Sequence, residues 1–225
     1  AMDQVVNHAA KLRYMSNGQL AVPLVIRTVT GGGGQLGATH SQSLEGWFAS
    51  VPGLKVAVPS DPYDALGLLR TAIADDDPVI YAEHALLYGV LGEVPDEEYR
   101  VPFGQAKVKR PGSDVTIVAY SRMVHTALQA ADTLAARGVE AEVVDLRTLR
   151  PLDMETVVES VMKTNRAVVV EEAWKTGGFA GELVSGIQEA AFDSLDGPVG
   201  RVGGVDVPAP YNGRLEAAAY PDANK

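Results

Sequence analysis

The chain has 225 residues, of which 46% are hydrophobic and 21% are charged. This is enough apolar material for one large core or two modest ones, and it argues against a disordered chain. Lys and Arg number 19 against 29 Asp and Glu, a net charge of −10, which makes nucleic acid and anionic membranes poor partners because both repel an acidic protein.

Without cysteine in the sequence, disulfides and thiolate metal sites are excluded, and a protein that is not secreted is favoured. The first residues carry polar groups throughout, so they lack the apolar core of a signal peptide. No apolar run approaches the ~20 residues that a membrane-spanning helix needs. We therefore predict a soluble protein.

The first part of the chain alternates short apolar runs with helical patterns, which is typical of a parallel sheet covered on both faces. Asp61 followed by Pro62 indicates the start of a helix, because Asp is a favoured capping residue and Pro fits the first helical position. In chain order we predict a helix over 2–15, a strand over 22–27, a helix over 41–49, a strand over 54–59, a helix over 63–74, and a turn and strand over 75–83.

The alternation breaks after residue 84, where Gly, Pro and acidic residues accumulate, and we place a linker over 85–103. Beyond it we predict strands over 115–120, 141–146, 167–172 and 199–204, and helices over 123–138, 153–164 and 181–195. The predicted fold class is α/β, with two domains over 1–84 and 104–225. Each domain is a mainly parallel sheet with flanking helices.

The stretch TVTGGGGQLGATHSQS (28–43) joins four consecutive glycines to a histidine. It follows a strand and precedes a helix, which is where open α/β sheets bind ligands. The stretch matches neither the phosphate-loop pattern with its Lys-Ser/Thr nor a full dinucleotide fingerprint. Two interpretations of the glycine run stay open at this stage, a phosphate cradle and a flexible crossover loop.

His40 lies near the end of that stretch, just before the predicted helix. It can cap or support the helix, or it can exchange protons, because histidine ordinarily titrates near pH ~6.5. His84 lies at a strand end, a position where catalytic groups do occur. We expect His8 and His125, which lie on helices, to be solvated.

The run DDDP (75–78) places three carboxylates at a turn. Such a run is typical of a solvated bend, since divalent sites draw their ligands from several segments. Main-chain carbonyls around the turn could nonetheless hold a monovalent ion. The sequence contains neither a serine nucleophile elbow nor a zinc-binding His-Glu helix.

Three long stretches together resemble one enzyme family. They are the segment from VPLVIR through HSQSLEGWFASVPGLKVAVPSDPYDALGLLRTAIADDDPVIYAEHALLYG (22–89), DLRTLRPLDMETVVESVMKTNRAVVVEE (145–172) and DVPAPYNGRLE (206–216). They are similar to the beta subunits of thiamine-diphosphate-dependent 2-oxo acid dehydrogenases, above all of the pyruvate dehydrogenase first component. The similarity covers nearly the whole chain.

The resemblance implies a pyrimidine-binding domain, a linker and a transketolase C-terminal-like domain. Family members begin upstream of Ala1 and continue after Asn224, so the resemblance implies a truncated first domain over 1–84 and a second, over 104–225, that lacks its last helix. The family's activating glutamate lies upstream of this chain. No residue here is therefore assigned to cofactor binding, and we expect the chain alone to be inactive.

Cofactors and partners follow from the same resemblance. Thiamine diphosphate is shared with an alpha subunit, which also holds magnesium, in an alpha2beta2 heterotetramer containing a second beta subunit. A dihydrolipoyl acyltransferase core and its lipoyl domain are further partners. The implied location is the cytoplasm of a bacterium, or a plastid or other organelle matrix.

The resemblance also implies roles for particular residues. His40 corresponds to the family's HSQ histidine, which faces the thiamine site and assists proton transfer and acyl transfer to the lipoyl arm. A potassium ion is held in the family by main-chain carbonyls that correspond to Leu24, Ala72, Ile73, Asp75 and Asp77. One departure is the loop RTVTGGGG (27–34), where relatives have RGP, so that the site entrance and substrate preference can differ.

The function implied is the oxidative decarboxylation of pyruvate with acetyl transfer to a lipoyl domain. Two alternatives stay open. The chain can be a beta subunit with another substrate, a branched-chain 2-oxo acid or acetoin, or it can be a non-catalytic assembly module.

Overall fold

The structure is a computed structural model that describes residues 1–224, so Lys225, at the end of the predicted second domain, lies outside it. Within that range the strands form two sheets. The strands are β1 (Val25–Thr30), β2 (Lys55–Ala57), β3 (Val79–His84), β4 (Lys107–Arg110), β5 (Val115–Ala119), β6 (Ala141–Asp145), β7 (Thr148–Arg150), β8 (Ala167–Trp174) and β9 (Gly200–Gly204).

The helices cover both sheets. They are α1 (Ala10–Met15), which continues a π-helical segment (Gln4–Ala9), α2 (Glu45–Ala49), α3 (Pro62–Ile73), α4 (Met123–Ala135), α5 (Met154–Thr164), α6 (Ala180–Ala191) and α7 (Gly213–Ala219), with 3-10 turns at Ala85–Leu87 and Phe192–Ser194. None of the helices formed by residues 1–224 has both the length and the apolar character needed to cross a bilayer.

The first sheet has the strand order β1-β3-β2-β7. β1 and β2 pair parallel with β3, and β7 pairs antiparallel with β2. The predicted strand over 22–27 is displaced, because β1 continues through the β-branched residues Thr28 and Val29 to Thr30, which pairs with His84. β1 therefore leads directly into the glycines.

The second sheet has the order β4-β6-β5-β8-β9 and is parallel except at β4. The prediction of two mainly parallel sheets is thus confirmed. From β5 the chain passes through α4 to β6 on one side, whereas from β8 it passes through α6 to β9 on the other. The carboxyl ends of β5 and β8 therefore form the switch point at which such sheets bind ligands.

Three elements are absent from the prediction, namely β4, β7 and α7. The two strands are only three or four residues long and pair at the edges of their sheets. Their stability comes from neighbouring strands rather than from a local apolar pattern. α7 begins at a side-chain cap in which Asn212 Oδ1 accepts hydrogen bonds from Arg214 N (3.0 Å) and Leu215 N (3.4 Å).

The predicted helix over 41–49 is shorter in the structure, where α2 begins only at Glu45. Residues 41–44 stay non-helical because the backbone carbonyl of Gln42 accepts hydrogen bonds from Gly31 N (3.2 Å) and Thr30 Oγ1 (3.3 Å). The predicted start of α3 is confirmed, since Asp61 Oδ1 accepts a hydrogen bond of 2.7 Å from Asp64 N.

The first sheet buries side chains on both faces. Val79 and Tyr81 pack with α3 on one face. Val56 and Ile80 point to the other face and belong to a continuous buried cluster that also contains Val169 of the second sheet. Each such side chain contributes about 1.5–3 kcal/mol, so apolar packing holds the two halves of the chain together.

An ionic cluster lies at the edge of this interface. Lys109 Nζ lies 2.6 Å from Asp61 Oδ2, 2.8 Å from Asp64 Oδ2 and 3.5 Å from Asp145 Oδ2. Asp64 also pairs with Arg147 Nη2 at 2.6 Å. Burial opposes the charged form of Lys109, but the three carboxylates outweigh burial and raise the pKa of its ammonium. Because Asp64 and Asp145 are fully buried, their charges require these partners.

We predict that Lys109→Met lowers the free energy of unfolding by about 3 kcal/mol, because it leaves buried carboxylates without their ammonium partner. Urea unfolding followed by circular dichroism measures the loss. Lys107→Met is the matched control, since Lys107 is exposed and its Nζ lies 5.4 Å from the centroid of the Tyr63 ring, and it should cost less than about 1 kcal/mol. Equal losses in both variants would contradict the prediction.

Candidate active site

The glycine loop, which we define as residues 31–35, joins β1 to the segment that carries His40. Its backbone N–H groups point at carboxylates: Gly32 N donates to Glu172 Oε1 at 2.6 Å, and Gly33 N donates to Glu216 Oε1 at 3.0 Å. Phosphate would need these same amides. The structure therefore favours the crossover loop over the phosphate cradle.

A buried histidine–carboxylate pair supports the loop. His84 Nε2 lies 2.9 Å from Glu172 Oε2, and both side chains are almost fully buried. Leu86 N donates to His84 Nδ1 at 3.2 Å, so Nε2 carries the hydrogen that is donated to Glu172. A Cβ on Gly31 would lie 2.1 Å from His84 Nε2, so only glycine fits there.

The carboxyl group of Glu172 remains ionised in this setting. Burial by itself would raise its pKa, but the hydrogen bond from His84, the hydrogen bond from the Gly32 amide and the charge of Arg122 outweigh burial, and the pKa is lowered. Arg122 Nη1 lies 3.7 Å from Glu172 Oε2. The switch point of the second sheet is thus filled by a charged carboxylate bound to the glycine loop.

A cavity of about 470 Å³ lies along β1 beside the loop, within the ordinary range of ligand pockets. Its lining consists of Thr28, Val29, Thr30, Leu36, Thr39, His40, Gln42, Leu44, Glu45, Phe48, Ile80 and Ala82. His40 is exposed, so it lies at the open side of the cavity. Its imidazole is therefore accessible to a ligand.

Glu45 is the buried acid of this cavity. Thr30 Oγ1 donates a hydrogen bond of 2.7 Å to Glu45 Oε2. Burial raises the pKa of the Glu45 carboxyl and the nearby Glu172 charge adds to this effect, whereas the Thr30 hydrogen bond acts in the opposite direction. A carboxyl with a raised pKa in a ligand-sized cavity is suited to proton exchange.

The charge of the lining limits which ligand group can enter. Among the described residues, those that line the cavity include neither Lys nor Arg. A phosphate or diphosphate would therefore meet Glu45 without a compensating cation. The cavity instead suits an uncharged or weakly basic ring that contacts Phe48 and Ile80 and hydrogen-bonds at Thr28 or Glu45.

The residues of the predicted potassium site lie at one corner, where α3 ends and where β1 and β3 begin. They are Leu24, Ala72, Ile73, Asp75 and Asp77. The carbonyl of Leu24 accepts a hydrogen bond from Val79 N (2.8 Å), and that of Ala72 accepts one from Asp75 N (3.3 Å). A carbonyl oxygen has two lone pairs, so these oxygens can still contact a cation.

The carboxylates at this corner already have cationic partners. Lys55 Nζ lies 2.7 Å from Asp75 Oδ1 and 3.1 Å from Asp77 Oδ2, and Arg13 Nη1 lies 2.9 Å from Asp77 Oδ1. Residues 1–224 contain no group of three or more His, Asp or Glu side chains that could hold a metal ion. Any cation here would depend on main-chain carbonyls.

The two remaining histidines, His8 and His125, differ in their exposure to solvent. His8 is exposed, as predicted. The prediction that His125 is solvated is wrong, because its side chain is half-buried and its Nε2 lies 2.7 Å from the carbonyl oxygen of Ser60. That contact joins α4 to the first half of the chain.

Sequence reasoning missed three acids of this region, Glu45, Glu172 and Glu216. A signal for Glu172 was present, because two acids close the apolar strand run AVVVEE (167–172) at its carboxyl end, where functional groups of parallel sheets collect. For Glu45 and Glu216 the signal is weak, since each resembles an ordinary helix-surface acid until the fold buries it.

Comparison with known domain families identifies both halves of the chain. The sequence model of the transketolase pyrimidine-binding domain matches residues 2–90. The model of the transketolase C-terminal domain matches residues 104–225.

Individual relatives are similar over nearly the whole chain. The mitochondrial pyruvate dehydrogenase E1 component subunit beta-2 of Oryza sativa subsp. japonica is 49% identical over 100% of this chain and 61% of its own length. The corresponding subunit beta of Gracilaria tenuistipitata var. liui is 48% identical over 98% of this chain and 69% of its own. The acetoin:2,6-dichlorophenolindophenol oxidoreductase subunit beta of Cupriavidus necator is 50% identical, with shares of 98% and 65%.

The chain thus spans about two thirds of the length of these relatives. Among solved structures, a split gene transketolase described as an inactive beta4 tetramer matches 97% of this chain and 70% of its own. Its TM-score is 0.73 and its sequence identity is 29%.

We predict that Glu45→Gln stabilises the protein at neutral pH. A raised pKa means that the folded state binds the Glu45 proton more tightly than the unfolded state, so wild type loses stability as the pH rises above the ordinary value of 4.5. The glutamine variant lacks this loss, and its amide oxygen can still accept the Thr30 hydrogen bond.

The measurement is urea unfolding of both proteins between pH 4 and 8, with the exposed Glu93→Gln as control. The advantage of Glu45→Gln should grow with pH, whereas Glu93→Gln should show no such trend. A pH-independent difference would show that burial does not raise the pKa of Glu45.

Proposed function

The chain belongs to the family of pyruvate dehydrogenase E1 component beta subunits, built from transketolase pyrimidine-binding and C-terminal domains, and we propose that it serves as the beta subunit of a thiamine-diphosphate-dependent 2-oxo acid dehydrogenase. The proposed reaction is the oxidative decarboxylation of pyruvate. Carbon dioxide leaves, and the lipoyl disulfide accepts the acetyl group on one sulfur and is reduced to a thiol at the other.

The observation that carries this proposal is the position of His40 at the open side of the cavity along β1. The cavity has the size and apolar floor for an aromatic ring, with a buried acid, Glu45, in its wall. Thiamine diphosphate, when bound, would supply the nucleophilic carbon that adds to the carbonyl carbon of the substrate. The cavity fits its uncharged aromatic part.

The chain's own residues have limited roles in this proposal. Phe48 and Ile80 would exclude water from the floor of the cavity, and Glu45 would hold a proton at its carboxyl group in the cavity wall. His40 exchanges a proton at its imidazole and assists acyl transfer to the lipoyl arm. Since the described residues that line the cavity include no Lys or Arg, the proposal assigns the diphosphate and its magnesium to an alpha subunit.

The proposed assembly is an alpha2beta2 heterotetramer with a second beta subunit. A dihydrolipoyl acyltransferase core with its lipoyl domain receives the acetyl group. The family relationship supports this assembly, in the cytoplasm of a bacterium or in an organelle matrix.

We also propose that a potassium ion binds the carbonyls of Leu24, Ala72, Ile73, Asp75 and Asp77. The position of these residues at the corner where α3 ends and where β1 and β3 begin supports this, as does the chemistry of the donor set, since cations of this kind bind hard oxygen ligands. Lys55 and Arg13 already neutralise the carboxylates there, so the ion would contribute through carbonyl coordination.

Acetoin is the second candidate substrate, because the subunit beta of the Cupriavidus necator oxidoreductase is as similar to this chain as the pyruvate dehydrogenase subunits are. A branched-chain 2-oxo acid and a non-catalytic assembly role complete the alternatives. The sequence identities do not rank these alternatives, so a direct comparison of substrates is required.

We predict that the complete protein, assembled with its alpha subunit, acetylates a lipoyl domain with pyruvate at a higher kcat/KM than it shows with 3-methyl-2-oxobutanoate or acetoin. His40→Ala should lower kcat about 100-fold or more, the scale of a lost proton-transfer group. His8→Ala is the control, because His8 is exposed and lies on the amino-terminal helix.

If another substrate gave the highest kcat/KM, it would replace pyruvate in the proposal. Inactivity with all three substrates would favour the non-catalytic assembly module. An unchanged rate in His40→Ala would remove His40 from the catalytic machinery.

We predict that potassium raises the melting temperature of the assembled protein by a few degrees in a saturating manner, as a bound ligand does. Sodium and choline chloride at the same ionic strength are the controls. Identical melting curves in the three salts would contradict a specific site.

A further inference from the structure

The segment that carries His40 is bound at both ends by the second half of the chain. Before His40, Gln35 N donates hydrogen bonds to Glu216 Oε2 at 3.0 Å and Oε1 at 3.2 Å. Directly after it, the carbonyl of Ser41 accepts a hydrogen bond of 2.8 Å from the Tyr220 hydroxyl. The side chains that bind these two ends lie only four positions apart in the sequence, at α7 and just beyond it.

Glu172 holds the start of the same segment. Besides Gly32 N, its Oε1 accepts a hydrogen bond of 3.3 Å from Ser43 Oγ, a residue beyond His40. One carboxylate oxygen of Glu172 therefore joins the segment before His40 to the segment after it. Its other oxygen contacts His84 at the end of β3, so the bridge is tied to the first sheet as well.

Backbone amides of the glycine loop are hydrogen-bond donors to both of these acids. Glu216 is 2% exposed and Glu172 is 5% exposed, so neither can be satisfied by water. Hydrogen bonds from an amide to a buried carboxylate are short and strong. A loop that left this position would remove these donors from both carboxylates, which disfavours other loop conformations.

From these contacts we infer that Glu172 and Glu216 are positioning residues, which hold the glycine loop in the switch point of the second sheet and thereby place His40 at the cavity along β1. The inference rests on the proposed function for its catalytic consequence. Its structural part, that two carboxylates of the second half determine the order of the loop, can be tested separately.

The variants are Glu172→Gln and Glu216→Gln in the complete protein assembled with its alpha subunit. A glutamine retains one acceptor oxygen but turns an NH₂ group toward a donor, either a loop amide or His84. Glu159→Gln is the matched control, because Glu159 lies exposed on α5. If Glu172→Gln does not fold, Glu216→Gln decides the matter alone.

The first readout is amide hydrogen exchange over residues 31–40. We expect exchange to accelerate about tenfold or more in both variants, while the core strand β5 and the Glu159→Gln control remain unchanged. Unaltered exchange in the loop would overturn the inference, whatever the activity of the enzyme.

The second readout is kcat for acetylation of the lipoyl domain, measured with and without His40→Ala. If Glu216 acts through His40, Glu216→Gln should lower kcat about tenfold in the wild type and leave it unchanged in the His40→Ala background. An equal loss in both backgrounds would overturn the positioning role. If His40→Ala alone has no effect, the proposed role of His40 fails while the exchange result still decides whether the carboxylates order the loop.

Discussion

The site depends on the hydrogen bonds that the buried carboxylate of Glu172 accepts. A charge that is removed from water must be paired or hydrogen-bonded, and here the partners are His84 and the backbone of Gly32. Gly31 must be a glycine because the loop passes this close to the imidazole. Satisfying this buried carboxylate is therefore one of the constraints on the path of the loop.

Apolar packing and polar contacts together form the rest of the interface between the two sheets. Apolar residues such as Val56 and Val169 supply the area of contact, and hydrophobic burial is largely indifferent to orientation. The ionic cluster around Lys109 and the contact of His125 with Ser60 depend on geometry, so they orient one half of the chain relative to the other. Together they fix how the two halves of the chain meet.

The fold was largely predictable because its central strands and helices carry local signals. The β-branched run of β5 and the Asp61 cap of α3 are visible in the sequence and lie where predicted. β7 has no such signal, since its three residues become a strand only through pairing with β2. His125 was misjudged for the same reason, because its partner lies far away in the chain.

By itself, the sequence determined the α/β class, the mainly parallel sheets and the family resemblance, since periodicity, capping and motifs are local properties. Only the tertiary structure decided what the glycines do. The sequence motif alone did not exclude phosphate binding by their backbone amides. Folding instead buries Glu172 and Glu216 against them, and contacts between residues so distant in the chain are set by packing.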